Sequence, residues 1–305
     1  LKSSAYMLKP KLQTYLSQLE AQHLKRAPSI IPPHHLNFSH NDYLGLATNP
    51  TLKTAYQKSF EQYPIGSTGS MLVSGYHTTH QVLECAFSDA LGTDAALLFP
   101  SGYAANVSIM QLLAKLNIHA FINKAIHASV YDGLRLSGGT YTRYRLNPPA
   151  PEDNSILLTE GIFSMSGDMP NLTKLAKHYP LIIDEAHAFG VLGPKGLGSV
   201  AEHKLTQAAV PLRIIPFGKA LGATGAMVAG DKDWIDALLQ TARPLIYSTA
   251  MSPALAHGVL TAFELLQKAA PERLALKKNI QYFKAHIKNS SLIWQDSNSP
   301  IQQLQ

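Results

Sequence analysis

Cysteine is almost absent from this chain: Cys85 is the only one in 305 residues. No intrachain disulfide can form, which fits a reducing compartment, and the cytoplasm is the expected location. Cys85 itself reads as a small core residue on a helix rather than as a nucleophile. Long hydrophobic runs are absent as well. No apolar stretch approaches the roughly 18 residues of a membrane span, and Leu1 to Leu16 lacks the hydrophobic block of a signal peptide. Charged residues make up only 15% of the chain, and the net excess of +6 is scattered. Neither Lys9, Lys11, Lys25 and Arg26 nor Arg143 and Arg145 form the dense stripe of a nucleic-acid site, so both groups read as solvated faces. The excess suits a small anionic ligand, such as a phosphate cofactor or coenzyme A, or an acidic carrier protein. No metal site is expected, and no internal repeat is present.

With 46% hydrophobic residues, 19 prolines and 20 glycines spread along its length, the sequence is that of an ordinary globular protein. Its length predicts about two domains on a prior of roughly 150 residues each. Leu12, Leu16, Leu19 and His23 recur at helical spacing, so residues 11 to 26 read as an amphipathic helix ended by Pro28, Pro32 and Pro33. A short strand at Leu36 to Ser39 and a helix from Pro50 to Tyr63 follow. Gly66-Ser67-Thr68-Gly69-Ser70 reads as a loop.

From residue 78 helices alternate with apolar strands. A helix ends at Gly92 and another spans Tyr103 to Lys115. Strands are expected at Ala95 to Phe99, Ile118 to Ile122, Ile156 to Thr159, Leu181 to Asp184, Leu212 to Pro216 and Ala226 to Ala229, with a helix near 171 to 179. Strands that are apolar throughout and separated by helices predict a mainly parallel sheet covered on both faces. Beyond Ser252-Pro253 come helices to Lys268 and from Pro271 to Lys288, then a strand at Leu292 to Gln295. The expected organisation is a helical arm over 1–39, a large α/β domain over 40–245, and the beginning of a smaller α+β domain over 246–305, which stops too soon to form its own sheet.

In open α/β sheets ligands bind beyond the carboxyl ends of the strands, so polar residues just after apolar runs carry the functional reading. After Leu97-Leu98-Phe99 comes Pro100-Ser101-Gly102-Tyr103, a turn opening a helix whose free N–H groups suit a phosphate. After Leu181-Ile182-Ile183 comes Asp184-Glu185-Ala186-His187. That string also occurs in helicase ATPases, but the Gly-x-x-x-x-Gly-Lys-Ser/Thr loop such enzymes need is absent. After Leu212 to Pro216 comes Phe217-Gly218-Lys219-Ala220-Leu221-Gly222. A lysine among small and apolar residues is expected to be desolvated toward a nucleophilic amine; a surface lysine is the competing reading. Asp184 and Lys219 together supply what pyridoxal 5′-phosphate (PLP) needs: an anion for the pyridine nitrogen and an amine for the aldehyde. His127, after Phe121-Ile122 and a short turn, is placed to stack on the ring, or is a hydrogen-bonded structural histidine.

The sequence resembles the α-oxoamine synthases, a group of fold-type-I PLP-dependent transferases, from about residue 36 to 302. The resemblance rests on Phe38-Ser39-His40-Asn41-Asp42-Tyr43-Leu44-Gly45-Leu46, Val73-Ser74-Gly75-Tyr76, Thr159-Glu160-Gly161-Ile162-Phe163-Ser164-Met165, Asp184-Glu185-Ala186-His187 and Phe217-Gly218-Lys219-Ala220-Leu221-Gly222. It implies that Lys219 is the Schiff-base lysine and proton carrier, Asp184 pairs with the pyridine nitrogen and His127 stacks on the ring. It also implies that His187 bonds the phenolic oxygen, with Ser164 near the same atom. Ser101, Gly102 and Tyr103 match the phosphate turn, Thr249 matches a residue given to the neighbouring subunit's phosphate, and Asn41 matches a residue near the substrate. A homodimer with shared sites is implied.

Ser74-Gly75-Tyr76 and Tyr247-Ser248-Thr249 resemble the biotin-pathway branch, which implies decarboxylative condensation of L-alanine with a pimeloyl thioester of coenzyme A or acyl carrier protein. The alternatives are a glycine-using sister enzyme and a PLP-binding, weakly active truncated subunit. Two departures stand out. Pro216 replaces the hydroxyl residue that normally binds phosphate three positions before the lysine, removing a hydroxyl and an N–H. The family's arginine for the amino-acid carboxylate lies beyond Ser299-Pro300-Ile301-Gln302 and is not in the sequence.

Overall fold

The structure is a computed structural model that describes residues 5–32, 34–288 and 290–304. Pro33 and Gln305 lie outside the described residues. By internal contacts the chain divides into two compact units, Leu1–His40 and Asn41–Gln305.

In the first unit, helix α1 covers Ala5–Ala21 and runs through Pro10. It starts and ends earlier than residues 11 to 26. No strand forms at Leu36 to Ser39, where Leu36 and Phe38 are 85% and 91% exposed: an extended apolar segment without a pairing partner does not make a ladder.

The second unit opens with α2 (Pro50–Gln62), whose Asn49 cap accepts from the N–H groups of Thr51 and Leu52, with Pro50 at the first helical position. Then come α3 (Thr78–Leu91), closed by left-handed Gly92, β1 (Ala95–Phe99), α4 (Gly102–Lys115), β2 (His119–Asn123) and α5 (Ala128–Ser137). They continue with β3 (Tyr141–Tyr144), β4 (Ser155–Glu160), α6 (Leu172–Leu175), β5 (Leu181–Asp184) and α7 (Gly198–Glu202). The unit ends with β6 (Leu212–Pro216), β7 (Ala226–Gly230), α8 (Lys232–Thr241), α9 (Arg243–Ile246), α10 (Pro253–Lys268) and α11 (Ala270–Ile287).

The strands form one seven-stranded sheet in the order β1-β7-β6-β5-β4-β2-β3. Strands β3, β2, β4, β5 and β6 pair in parallel, and only β7 runs the other way, antiparallel to both β6 and β1. Both faces are covered, as the apolar strands require. One face packs Ile109, Met110 and Leu113 of α4, Val130 and Leu134 of α5 and Leu238 of α8 against the strands. The other packs Phe87 of α3 and Phe263 of α10, whose rings stack 3.9 Å apart.

Two expectations fail here. Leu292 to Gln295 makes no strand, only an isolated bridge between Trp294 and Leu304. Cys85 is exposed rather than in the core, because α3 buries Leu83, Glu84 and Phe87 and turns the position between them outward. Among the described residues no helix is long and apolar enough to cross a membrane.

Candidate active site

All strands but β7 point their carboxyl ends to one edge of the sheet, and the polar residues that follow them meet there. Gly102, Tyr103, Asn106, His127, Glu160, Ser164, Asp184, His187, Pro216 and Lys219 line a cavity of about 150 Å³. A larger groove of about 430 Å³ lies at the opposite edge, lined by Ile118, Ile156, Pro180, Pro211 and Trp234 among others. It gathers no comparable set of reactive groups, and the carboxyl edge is where this topology places ligands.

Asp184 ends β5 and is buried; its Oδ1 accepts the Ala186 N–H at 2.9 Å and its Oδ2 accepts Asn106 Nδ2 at 2.9 Å. Asn106 sits one helical turn after Gly102 on the buried face of α4. Its amide also donates to Ser129 Oγ at 3.0 Å, and that hydroxyl lies 2.7 Å from His127 Nδ1. His127 Nδ1 accepts the Ser129 N–H, so the serine hydroxyl donates to it and the imidazole proton is left on Nε2. One chain of hydrogen bonds thus orients both the carboxylate and the imidazole.

Glu160 ends β4 and is 2% exposed. Its carboxylate accepts the His127 N–H at 2.7 Å and the Ser164 N–H at 3.1 Å, latching two loops to one side chain. Burial and the negative charge of Asp184 push its proton affinity up; the two N–H donors and Lys219 oppose this. Lys219 follows β6 by way of buried Phe217, and burial lowers its proton affinity while Asp184 and Glu160 raise it. Burial, with the positive charge of Lys219, takes His187 down to about 3, so its ring is neutral at ordinary pH.

The cavity fits PLP by the chemistry of its donors. A buried carboxylate stands at one end and a half-buried amine beside it. The first turn of α4 supplies the phosphate end: Ser101 Oγ caps it by accepting the Ala104 N–H, leaving the Gly102 and Tyr103 N–H groups without intrahelical acceptors. Gly102 is required there, since a Cβ would lie 2.6 Å from Pro216 Cγ. Among the described residues no cluster of three or more His, Cys, Asp or Glu is arranged to hold a metal ion.

Of the residues singled out in the sequence, Lys219, Asp184, His187, His127, Ser164, Gly102 and Tyr103 line this cavity. Ser101 stands just behind it as the helix cap. Asn41 joins through Tyr43, whose Oη lies 3.0 Å from Asn41 Oδ1 and 2.7 Å from His187 Nδ1. Thr249 lies elsewhere, bridged to Ser70. Asn106 and Ser129 were not singled out, although an asparagine among the apolar residues of α4 was a visible signal; Tyr43 and Glu160 were quoted in motifs without a role.

The family model for aminotransferase class I and II matches residues 33–305. The 8-amino-7-oxononanoate synthase of Hydrogenovibrio crunogenus is 40% identical over 283 residues, which are 88% of this chain and 71% of the relative. That of Methylococcus capsulatus is 36% identical over 283 residues, covering 88% of this chain and 73% of the relative. Among solved structures, 8-amino-7-oxononanoate synthase from Francisella tularensis superposes with a TM-score of 0.80 at 32% identity, over 90% of this chain and 82% of that one. A serine palmitoyltransferase from S. paucimobilis, with bound PLP–myriocin aldimine, superposes with a TM-score of 0.84 at 23% identity, over 96% of this chain and 81% of that one, a likeness of fold.

Proposed function

The chain belongs to the aminotransferase class I and II family, on its 8-amino-7-oxononanoate synthase branch, and from that premise we propose a PLP-dependent acyltransferase that condenses L-alanine with a pimeloyl thioester. The products are 8-amino-7-oxononanoate, carbon dioxide and free thiol. The observation that carries the reading is the meeting of Lys219 and Asp184 in one cavity at the carboxyl edge of the sheet.

When bound, PLP supplies an electron-accepting ring that stabilises negative charge at the amino acid's α-carbon. The chain's own residues do the rest. Lys219 would hold the cofactor covalently, and its free amine would take the α-proton; burial favours the neutral form this needs. Asp184, held by Asn106, keeps the ring nitrogen protonated. His127, fixed at its backbone by Glu160 and at its ring by Ser129, would stack on the cofactor. His187 and Ser164 serve the phenolic oxygen. Ser101, Gly102 and Tyr103 hold the phosphate, and Asn41 stands beside the substrate.

The active form is a homodimer in which Thr249 reaches the neighbouring subunit's phosphate. Support comes from exposed apolar residues on two joined segments: Leu72 and Val73 follow Ser70, which bridges Thr249, and Tyr247 precedes it at 71% exposure. The test is product analysis with pimeloyl-coenzyme A and either L-alanine or glycine. Formation of 8-amino-7-oxononanoate from alanine, absent in Lys219→Ala, supports the reading; a strong preference for glycine transfers it to the sister branch.

A further inference from the structure

The hydroxyl of Tyr43 touches two groups and carries one proton. Its Oη is 2.7 Å from His187 Nδ1 and 3.0 Å from Asn41 Oδ1. It can donate to only one of them, and the choice fixes the other side of His187. If the proton goes to Asn41, then His187 must carry its own proton on Nδ1 to satisfy the hydroxyl oxygen, and Nε2 is a bare acceptor. If the proton goes to His187, then Nδ1 is the acceptor and Nε2–H is a donor. Asn41 then turns its amide by half a rotation and donates Nδ2–H to Tyr43, which leaves its carbonyl oxygen for another partner.

One observation favours the second arrangement, and two more define the protons to be placed. An imidazole nitrogen is a better acceptor than an amide oxygen, and it holds the shorter contact. His187 is neutral, so it has one ring proton to place. Burial raises the proton affinity of Tyr43, so the hydroxyl keeps the proton it donates. Tyr43 stands at the end of the segment that carries Asn41, and its ring lies 6.1 Å from that of His187.

We infer that Tyr43 is a positioning residue that selects the Nε2–H tautomer of His187, so that this ring presents a donor to the cavity, and that couples the tautomer to the orientation of Asn41. The inference rests on the proposed PLP site for its use: an N–H donor is what an anionic phenolic oxygen accepts. It does not rest on that site for its geometry, which belongs to the protein alone.

The test is 15N NMR of histidine-labelled protein, in the cofactor-free and PLP-loaded forms, for the wild type, Tyr43→Phe and Asn41→Ala. The wild type should show His187 with a pyrrole-type Nε2 and a bare Nδ1 in both forms. Tyr43→Phe should shift the ring to a tautomer mixture or to Nδ1–H. Asn41→Ala, which removes the competing partner and leaves the hydroxyl, should keep Nε2–H. In the loaded enzyme Tyr43→Phe should lower kcat roughly tenfold, the effect of one lost hydrogen bond to a charged oxygen, with a smaller change in the KM for alanine. A wild-type Nδ1–H tautomer, or an unchanged Nε2–H in cofactor-free Tyr43→Phe, overturns the inference. Failure to bind PLP overturns the proposed function and leaves the tautomer result standing.

Discussion

Pro216 shows how a single residue sets the terms of the site. It closes β6, lines the cavity and packs against Gly102, and it brings neither a hydroxyl nor an N–H to the phosphate end. The α4 N-terminus and its Ser101 cap remain as the donors there. Pro216→Thr adds a hydroxyl next to them and should tighten PLP binding by about tenfold, as expected for one charge-assisted hydrogen bond. Equilibrium dialysis or fluorescence titration of the two proteins measures it; equal affinity would mean that the side chain at 216 does not face the phosphate. Lys219, Asp184 and His187 were legible because each stands at the end of an apolar strand or within three residues of it. The roles of Asn106, Ser129 and Tyr43 were not, because their work lies in contacts across 78, 23 and 144 residues of sequence that no local pattern encodes, even where, as at Asn106, the residue type stands out.

At the scale of elements, α3 is pinned to β1 by Glu84, whose carboxylate accepts the Leu98 N–H at 2.8 Å and the Tyr76 hydroxyl at 2.5 Å. Burial raises this carboxyl to about 7 despite both donors. In the unfolded chain it titrates near 4.5. A folded pKa above the unfolded one means that the native state binds the extra proton between those values. Its contribution is therefore fully present below about pH 4.5 and is lost as pH rises through about 7, by up to about 3 kcal/mol. Glu84→Gln should remove this slope, so the stability difference between variant and wild type should move in the variant's favour between pH 5 and 7.5. Urea unfolding at both pH values checks it, and a parallel pair of curves would contradict it. Six of the seven strands were readable as apolar runs with small errors at their ends; the edge strand β3, Tyr141-Thr142-Arg143-Tyr144, is not apolar and was not among those expected. The segments at 36–39 and 292–295 have the same local character but no neighbouring strand to pair with, and pairing is a property of the fold rather than of the run.

For the whole molecule, the chain spans 71 to 73% of the length of the two 8-amino-7-oxononanoate synthases described above, and its cavity gathers Lys219, Asp184, His187 and His127. The proposed homodimer draws on the exposed side chains of Leu72, Val73 and Tyr247. Val73→Arg places a charge where apolar contact is expected, and sedimentation velocity should show dimer for the wild type and monomer for the variant. A wild-type monomer would remove the shared-site role of Thr249. Borohydride reduction of the PLP-loaded protein, followed by peptide mass mapping, tests whether Lys219 carries PLP. The reduced cofactor is expected on the peptide containing Lys219, and on no peptide of Lys219→Ala; label on other lysines, equal in the two proteins, would contradict that role.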